Sequence, residues 1–346
     1  MRLWYVDCFA GPWQNKNERL TDTSIHIGLS AMEDAATAWR EKGHDIELKA
    51  VFVEKDRKPF QRLQAYLNSR TDDTIETRAF FGEFGSHTNQ ISELLANDPA
   101  FVFIDPTGFK GVAMDYLRPL MRPRMRDVLV NVMFNDINRF KDDPRGFLRQ
   151  QMMDFFGTNG EVLSPGMTEH ELLATYRRNL KKVCNLSYSA DLAIPHPTHS
   201  RTWFRLVIGG KHKDVIDVFR RVEARIVGRE ASAVRIEARD RRTEERTGQL
   251  SLLNPEEGPD ADPWYHDENN RDKAKIREIL PEWLARNGPT PFGSLWPQIL
   301  EEHHLTLSEF RQLVAAAEKG GELILSPPRQ GRRTPRDEEI VSLAKL

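Results

Sequence analysis

The chain has 346 residues, of which 39% are hydrophobic and 29% charged, and its formal net charge is -2. These values describe a folded globular protein and exclude a fibrous or intrinsically disordered one. No apolar run approaches the ~20 residues that cross a bilayer, so we expect a cytoplasmic protein. The two cysteines cannot form a disulfide framework, and no histidine pair has zinc-protease spacing, so we predict no metal site.

Strand and helix patterns alternate through the first 134 residues. Near-continuous apolar runs predict strands, and apolar residues three or four positions apart predict helices of crossover length. This alternation predicts an α/β fold with a doubly wound parallel sheet covered on both faces. The predicted strands are 3–8, 47–53, 74–81, 101–104 and 127–134, and the predicted helices are 24–42, 59–68 and 87–96.

The pattern then changes twice. Amphipathic stretches at 145–156 and 169–182 predict a helical insertion at about 143–182, and a strand at 203–208 and a helix at 214–226 complete a first domain predicted to span 1–228. Residues 229–268, with alternating charges and a Pro/Gly/Asp-rich run, predict a linker. Three helical stretches and a short strand predict a winged helix-turn-helix domain at 269–326, a shape used mostly on nucleic acid. Residues 327–346 are predicted to form a basic tail.

Acidic residues stand at the ends of the first three predicted strands. In nucleoside-binding sheets, a glycine turn after the first strand lets the backbone approach the ligand, and an acid closing the second strand accepts hydrogen bonds from ribose hydroxyls. The chain has neither a Gly-x-Gly-x-x-Gly fingerprint nor a P-loop, which disfavours NAD and nucleoside triphosphates and leaves S-adenosylmethionine as the expected cofactor. The predicted cofactor-binding residues are Asp7, Phe9, Ala10, Gly11, Pro12, Glu54, Gly82 and Glu83.

The fourth strand adds an acid followed by a proline, Asp105-Pro106. A carboxylate and a backbone carbonyl fixed by proline are able to accept both hydrogens of an exocyclic amine, which aims the nitrogen lone pair at an electrophile. Phe109 is close enough in sequence to stack on a base. We therefore predict Asp105, Pro106 and Phe109 as the catalytic residues.

Several of these segments resemble those of one known family. Tyr5-Val-Asp-Cys-Phe-Ala-Gly-Pro12, Phe52-Val-Glu54, Phe103-Ile-Asp-Pro-Thr-Gly108, Asp127-Val-Leu-Val-Asn131 and Trp203-Phe-Arg-Leu-Val-Ile208 are similar to successive blocks of the three-Cys-motif partner proteins, the TcmP family. The resemblance implies a class I methyltransferase-like domain with S-adenosylmethionine at Asp7–Pro12 and Glu54, Asp105-Pro106 in the catalytic position, and a C-terminal winged helix. It also implies a partner protein that carries the three-Cys motif and resembles radical S-adenosylmethionine enzymes. The Asp-Pro-x-Gly block further resembles that of tRNA guanine dimethyltransferases, which modify an exocyclic amine.

Two basic clusters favour a nucleic-acid substrate: the first is expected to bracket the carboxyl edge of the sheet, where a phosphate backbone would pass on its way to Asp105, and the second to lie at a helix end nearby. Three functions stay open: a methyltransferase acting on a nucleic-acid base amine, a degenerate methyltransferase fold that serves as an adaptor to nucleic acid or a partner protein, and a methyltransferase acting on a small molecule. Trp13, where the family tends to have glycine, favours the adaptor. The clusters are Arg118, Arg122, Arg124, Arg126, Arg139, Lys141, Arg145 and Arg149, and Arg177, Arg178, Lys181 and Lys182.

Overall fold

The computed structural model describes residues 1–11, 23–70, 74–133, 137, 139–140, 143, 145–158, 163–164, 166–195, 202–230, 264–328 and 334–344. The chain folds into two compact units, one made of Met1–Ser189 with Phe204–His212 and the other of Ala190–Trp203 with Lys213–Leu346.

A seven-stranded sheet organises the first part of the chain. The strand order is β3-β2-β1-β4-β5-β7-β6; β1 to β5 are parallel, and β7 is antiparallel to β5. This topology confirms the predicted doubly wound, Rossmann-like sheet. The strands are β1 Arg2–Asp7, β2 Glu47–Glu54, β3 Ile75–Phe81, β4 Ala100–Ile104, β5 Arg126–Val132, β6 Tyr188–Pro195 and β7 Thr202–Gly210.

Helices follow the strands as the periodicity predicted. They are α1 Ser24–Arg40, α2 Arg57–Ser69, α3 Phe84–Leu95, the short α4 Leu117–Leu120, α5 Gly146–Phe156 and α6 Glu169–Cys184. The side chain of Thr23 caps α1 by accepting the N–H of His26, and Thr168 and Glu171 form a capping box at the start of α6. Helices α5 and α6 follow β5, where the helical insertion was predicted.

Both faces of the sheet are covered, and β2 shows how. Val51 and Val53 belong to one apolar cluster, whereas Ala50 and Phe52 belong to another. Successive side chains of a strand point to opposite faces, so the stretch of a central strand that is buried on both sides, here residues 50–53 of β2, is apolar throughout. The first cluster includes residues of α3, α5 and α6, and the second includes residues of α1 and α2.

The second unit contains α7 Asp214–Arg225 with a π-helical turn at Ile226–Glu230, α8 Trp264–Asn287, α9 Phe292–Glu302 and α10 Leu307–Lys319. Its three short strands, β8 Thr290–Pro291, β9 Leu323–Ser326 and β10 Ile340–Leu343, form an antiparallel sheet in the order β8-β10-β9. The apolar face of α7 includes the buried Ile216 and packs on α9, so this helix belongs to the second unit although the first domain was predicted to extend to 228.

Two further boundaries differ from the predictions. Helix α8 begins at Trp264, inside the predicted linker, most of which (231–263) lies outside the described residues. The predicted basic tail is wrong at its far end, because β10 is the central strand of the small sheet and Val341 is fully buried. Strand β10 was not predicted from the sequence because it has only four residues, two of them β-branched, and follows a run of basic residues. The winged-helix assignment stays a prediction. In the described residues, no helix combines the length and apolar character needed to cross a membrane.

Candidate active site

The turn after β1 opens a cleft at the carboxyl edge of the sheet. The N–H of Cys8 donates to the carbonyl of Phe103 on β4 at 3.0 Å, and the N–H of Ala10 donates to the carbonyl of Val53 on β2 at 2.9 Å. The turn thus forms hydrogen bonds first with β4 and then with β2, the two strands that flank β1. Strand order reverses between β1 and β4, and open α/β sheets bind ligands outside the carboxyl ends of their strands at this point.

The cleft has about 710 Å³ of open space, part of it continuous with solvent. Seven of the predicted site residues line it together, from the ends of four strands. The lining residues are Cys8, Phe9, Gly11, Val53, Glu54, Lys55, Asp56, Gly82, Glu83, Phe84, Asp105, Pro106, Thr107, Lys110 and Gly111.

Four predicted site residues do not line the cleft as described. Asp7 and Ala10 are fully buried beneath the turn, and Phe109 is buried in the core. Pro12, like Trp13, lies outside the described residues.

Glu54 ends β2 and is 7% exposed. Its Oε1 accepts the N–H of Asp56 at 2.6 Å, which fixes the carboxylate at the cleft wall. Burial raises the pKa of Glu54, and the backbone N–H groups of Asp56 and Lys55 oppose this rise. A carboxylate held in this way keeps acceptor capacity for the hydroxyl groups of a ligand.

Asp7 supports the site from below. Its Oδ1 accepts the N–H of Phe9 at 3.1 Å, so the side chain shapes the turn that lines the cleft. Burial raises the pKa of Asp7 to about 7; the Phe9 hydrogen bond lowers it, and the nearby carboxylates of Asp105 and Glu54 raise it further. Asp7 was predicted to contact the cofactor directly, but no part of it reaches the cleft surface. It instead holds the turn from beneath.

Asp105 follows β4 directly and receives a hydrogen bond from the next strand. The Nδ2 group of Asn131, on β5, donates to Oδ1 of Asp105 at 2.7 Å. Burial raises the pKa of Asp105, and the Asn131 hydrogen bond lowers it. No role was predicted for Asn131, although a polar residue near the end of an apolar strand, beside a strand ending in an acid, was a signal for one.

Gly82 and Glu83 form the wall after β3. The N–H of Gly82 donates to the carbonyl of Glu54 at 3.0 Å, which joins the ends of β2 and β3. Gly82 has φ +136°, and a Cβ there would lie 2.9 Å from Nε2 of His87. The positive φ therefore favours glycine, and a larger residue would also have to displace the imidazole of His87. Glu83 is exposed at the start of α3.

Phe109 is not a stacking residue. It is 2% exposed and meets the ring of Phe140 edge to face, with 5.9 Å between ring centroids. A base would have to displace core side chains to reach it. The prediction failed because an aromatic residue four positions after Asp105 has the same sequence pattern whether it faces the ligand or the core.

The first basic cluster does not surround the carboxyl edge as predicted. Arg122 and Arg124 immediately precede β5 and so lie at its amino end, away from Asp105. Arg126 is 1% exposed and its guanidinium donates to the carbonyls of Ala96, Asp98 and Leu120. Burial lowers the pKa of Arg126 to about 10. These contacts make Arg126 a structural residue.

Other residues of the two basic clusters form ion pairs or hydrogen bonds within the protein. Arg118 pairs with Asp115 at 2.6 Å and Arg145 with Asp143 at 2.7 Å. Arg177 is buried and donates to the carbonyl of Ser189. Lys141 lies outside the described residues, whereas Arg139, Arg149, Arg178 and Lys182 are exposed. The described part of the chain contains no group of three or more His, Cys, Asp or Glu side chains placed to hold a metal ion.

Comparisons with known proteins give only distant structural likenesses. No family model and no curated protein matches the chain. The solved structures that resemble it include WbdD, with 10% identity and a TM-score of 0.32; a SAM-dependent methyltransferase from Anabaena variabilis, with 10% and 0.29; and protein LPL1258 from Legionella pneumophila, with 8% and 0.33. The likenesses cover 61%, 61% and 64% of this chain and 35%, 77% and 84% of those proteins. The chain thus spans about a third of WbdD, and at these TM-scores the likenesses do not decide its function.

Proposed function

We propose that this protein is an S-adenosylmethionine-dependent methyltransferase that acts on an exocyclic amine of a nucleic-acid base. The observation that carries the proposal is a cleft in which Glu54 of β2 and the Asp105-Pro106 pair of β4 open onto the same space. In our proposal, Glu54 is the acceptor for ribose hydroxyls and Asp105-Pro106 the acceptor for amine hydrogens, and both line one cleft near the point where strand order reverses.

The residues present fit the cofactor. Glu54 would hold the ribose hydroxyls, the turn containing Phe9 and Gly11 would let the backbone approach the ligand, and Gly82 with Glu83 would border the adenine end. When bound, S-adenosylmethionine supplies an electrophilic methyl group on a sulfonium sulfur.

The acceptor side holds and orients the amine. Asn131 donates to one carboxylate oxygen of Asp105, which leaves the other oxygen for one amine hydrogen, and the carbonyl of Pro106 accepts the second. Both hydrogens are then held away from the direction in which the nitrogen lone pair must point. The nitrogen–carbon bond would form as the bond between the methyl carbon and the sulfonium sulfur breaks, and the methylated amine would then release its proton to solvent, so no strong base is required.

The adaptor alternative predicts that the cleft binds no adenosyl ligand, and the small-molecule alternative predicts transfer that is independent of nucleic acid. Titration calorimetry with S-adenosylhomocysteine distinguishes the adaptor alternative from our proposal. We expect binding with wild-type protein, and its absence at millimolar ligand would refute methyltransferase activity.

The second measurement is transfer of labelled methyl groups to pools of tRNA, rRNA and DNA. We expect Asp105→Ala to abolish transfer while S-adenosylhomocysteine still binds. Asp115→Ala is a matched control, because Asp115 is an exposed aspartate paired with Arg118 outside the cleft. Persistent transfer by Asp105→Ala would show that the acceptor site is elsewhere.

A further inference from the structure

Two cations share one aromatic ring beside the acceptor loop. The Nζ atom of Lys110 lies 6.0 Å from the centroid of the Phe140 ring, and the guanidinium carbon of Arg139 lies 5.1 Å from it. The negative face of an aromatic ring attracts cations at such distances. The screening length at physiological ionic strength is about 8 Å, so two charges gathered on one ring act on the same neighbouring anion.

The ring is tied to the loop that carries Asp105. Phe140 is half-buried and packs edge to face on Phe109, whose side chain is anchored in the core next to Lys110 in sequence. Lys110 lines the same cleft as Asp105, Pro106 and Thr107. Phe109 therefore serves the site by fixing the ring against the acceptor loop.

Neither cation pairs with a carboxylate of the described residues. Both Lys110 and Arg139 are exposed. Arg118 and Arg145, from the same predicted basic cluster, are paired with aspartates. Two like charges held on one ring repel each other, and an anion that joins them relieves this repulsion, which is the arrangement expected of an anion-binding site.

We propose that Lys110 and Arg139, gathered on Phe140, bind the phosphate backbone of a nucleic-acid strand beside the nucleotide whose base enters the Asp105-Pro106 site. The proposal deepens and rests on the proposed function. A phosphodiester matches it because it presents an anion at a fixed, short distance from each base, so that binding at the cations brings a base to the acceptor.

Fluorescence anisotropy with short, labelled single-stranded RNA and DNA tests this site. We expect Lys110→Ala and Arg139→Ala each to weaken binding roughly threefold to tenfold, and each to reduce the slope of log affinity against log salt by about 0.7. Lys110→Arg and Arg139→Lys should restore binding, because they keep the charge. Lys42→Ala is the matched control: Lys42 also lies over an aromatic ring, 5.9 Å from the centroid of Trp39, but does not line the cleft.

Equal affinities and salt slopes for the alanine variants and the control would overturn the proposal, as would wild-type protein that binds neither strand. Calorimetry with S-adenosylhomocysteine on the same variants distinguishes a failure of the phosphate site from a failure of the proposed methyltransferase function. We expect unchanged affinity for that ligand, and an equal loss for Lys110→Ala would assign the lysine to the cofactor and overturn the phosphate site. If wild-type protein binds no S-adenosylhomocysteine while the variants weaken strand binding, the phosphate site stands and the methyltransferase proposal falls.

Discussion

Glu54→Gln is the sharpest test of the cofactor site, because it changes charge without changing shape. Glu54 is 7% exposed at the end of β2, and its Oε1 accepts the N–H of Asp56 at 2.6 Å. A glutamine keeps an oxygen for this backbone bond and replaces the other carboxylate oxygen with an NH₂ donor. The sheet is expected to stay intact while the acceptor for ribose hydroxyls is lost.

The size of the effect follows from the hydrogen bonds concerned. A hydrogen bond to a charged group contributes about 1.5–3 kcal/mol, and about 1.4 kcal/mol corresponds to a tenfold change in affinity. We therefore expect S-adenosylhomocysteine to bind about tenfold to a hundredfold more weakly to the variant. Burial raises the pKa of Glu54, so wild-type affinity should also fall as pH drops through that raised pKa and the carboxylate becomes protonated. The glutamine variant should lack this contribution to the pH dependence.

Titration calorimetry at neutral and mildly acidic pH provides the measurement. Glu47→Gln is the matched control, because Glu47 begins the same strand at the opposite edge of the sheet, where it pairs with Arg2 and Lys49. Equal affinities for the two glutamine variants, at both pH values, would refute the assignment of Glu54 to the cofactor.

Three further changes test the rest of the site. Asn131→Ala removes the 2.7 Å hydrogen bond to Asp105 and should lower methyl transfer by roughly fivefold to a hundredfold. Its affinity for S-adenosylhomocysteine should be unchanged, and an equal loss of both would contradict a positioning role. Phe109→Ala should destabilise the fold by about 3–5 kcal/mol in urea unfolding, because the side chain is 2% exposed; a change below 1 kcal/mol would restore Phe109 as a ligand-stacking residue. Asp7→Asn should stabilise the protein above pH 7, by up to a few kcal/mol in thermal or urea unfolding. The folded-state pKa of Asp7 is raised to about 7 from an ordinary 3.8, so the carboxyl lowers wild-type stability progressively between about pH 4 and pH 7. The advantage of Asp7→Asn should disappear below pH 4, and a pH-independent difference would contradict this explanation.

Local sequence was sufficient for the five parallel strands of the main sheet, for β7 and for the position of the cleft, whereas β6 was not predicted. Apolar runs marked the central strands β1, β2, β4 and β5, because the stretches of a strand that are buried on both faces leave little room for polar side chains. The first polar residue after such a run marks the carboxyl end, and for this reason Glu54 and Asp105 were identified from sequence. The role of Gly82 in the turn after β3 was also predictable from sequence, since such a turn favours the one residue without a Cβ.

Only the tertiary structure decided which side chains are buried and which face the ligand. Phe109 and Arg126 fitted functional patterns, yet the first packs in the core and the second donates to carbonyls from distant segments. Strand β10 likewise depends on pairing with β8 and β9, and its four residues carry too weak a signal to predict alone. Strand ends and the acids that close them are local patterns, so the sequence determined them. Burial and strand pairing depend on residues far apart in the chain, so the sequence alone did not determine them. The structure alone determined that Asn131 reaches Asp105 and that Lys110 and Arg139 share one ring.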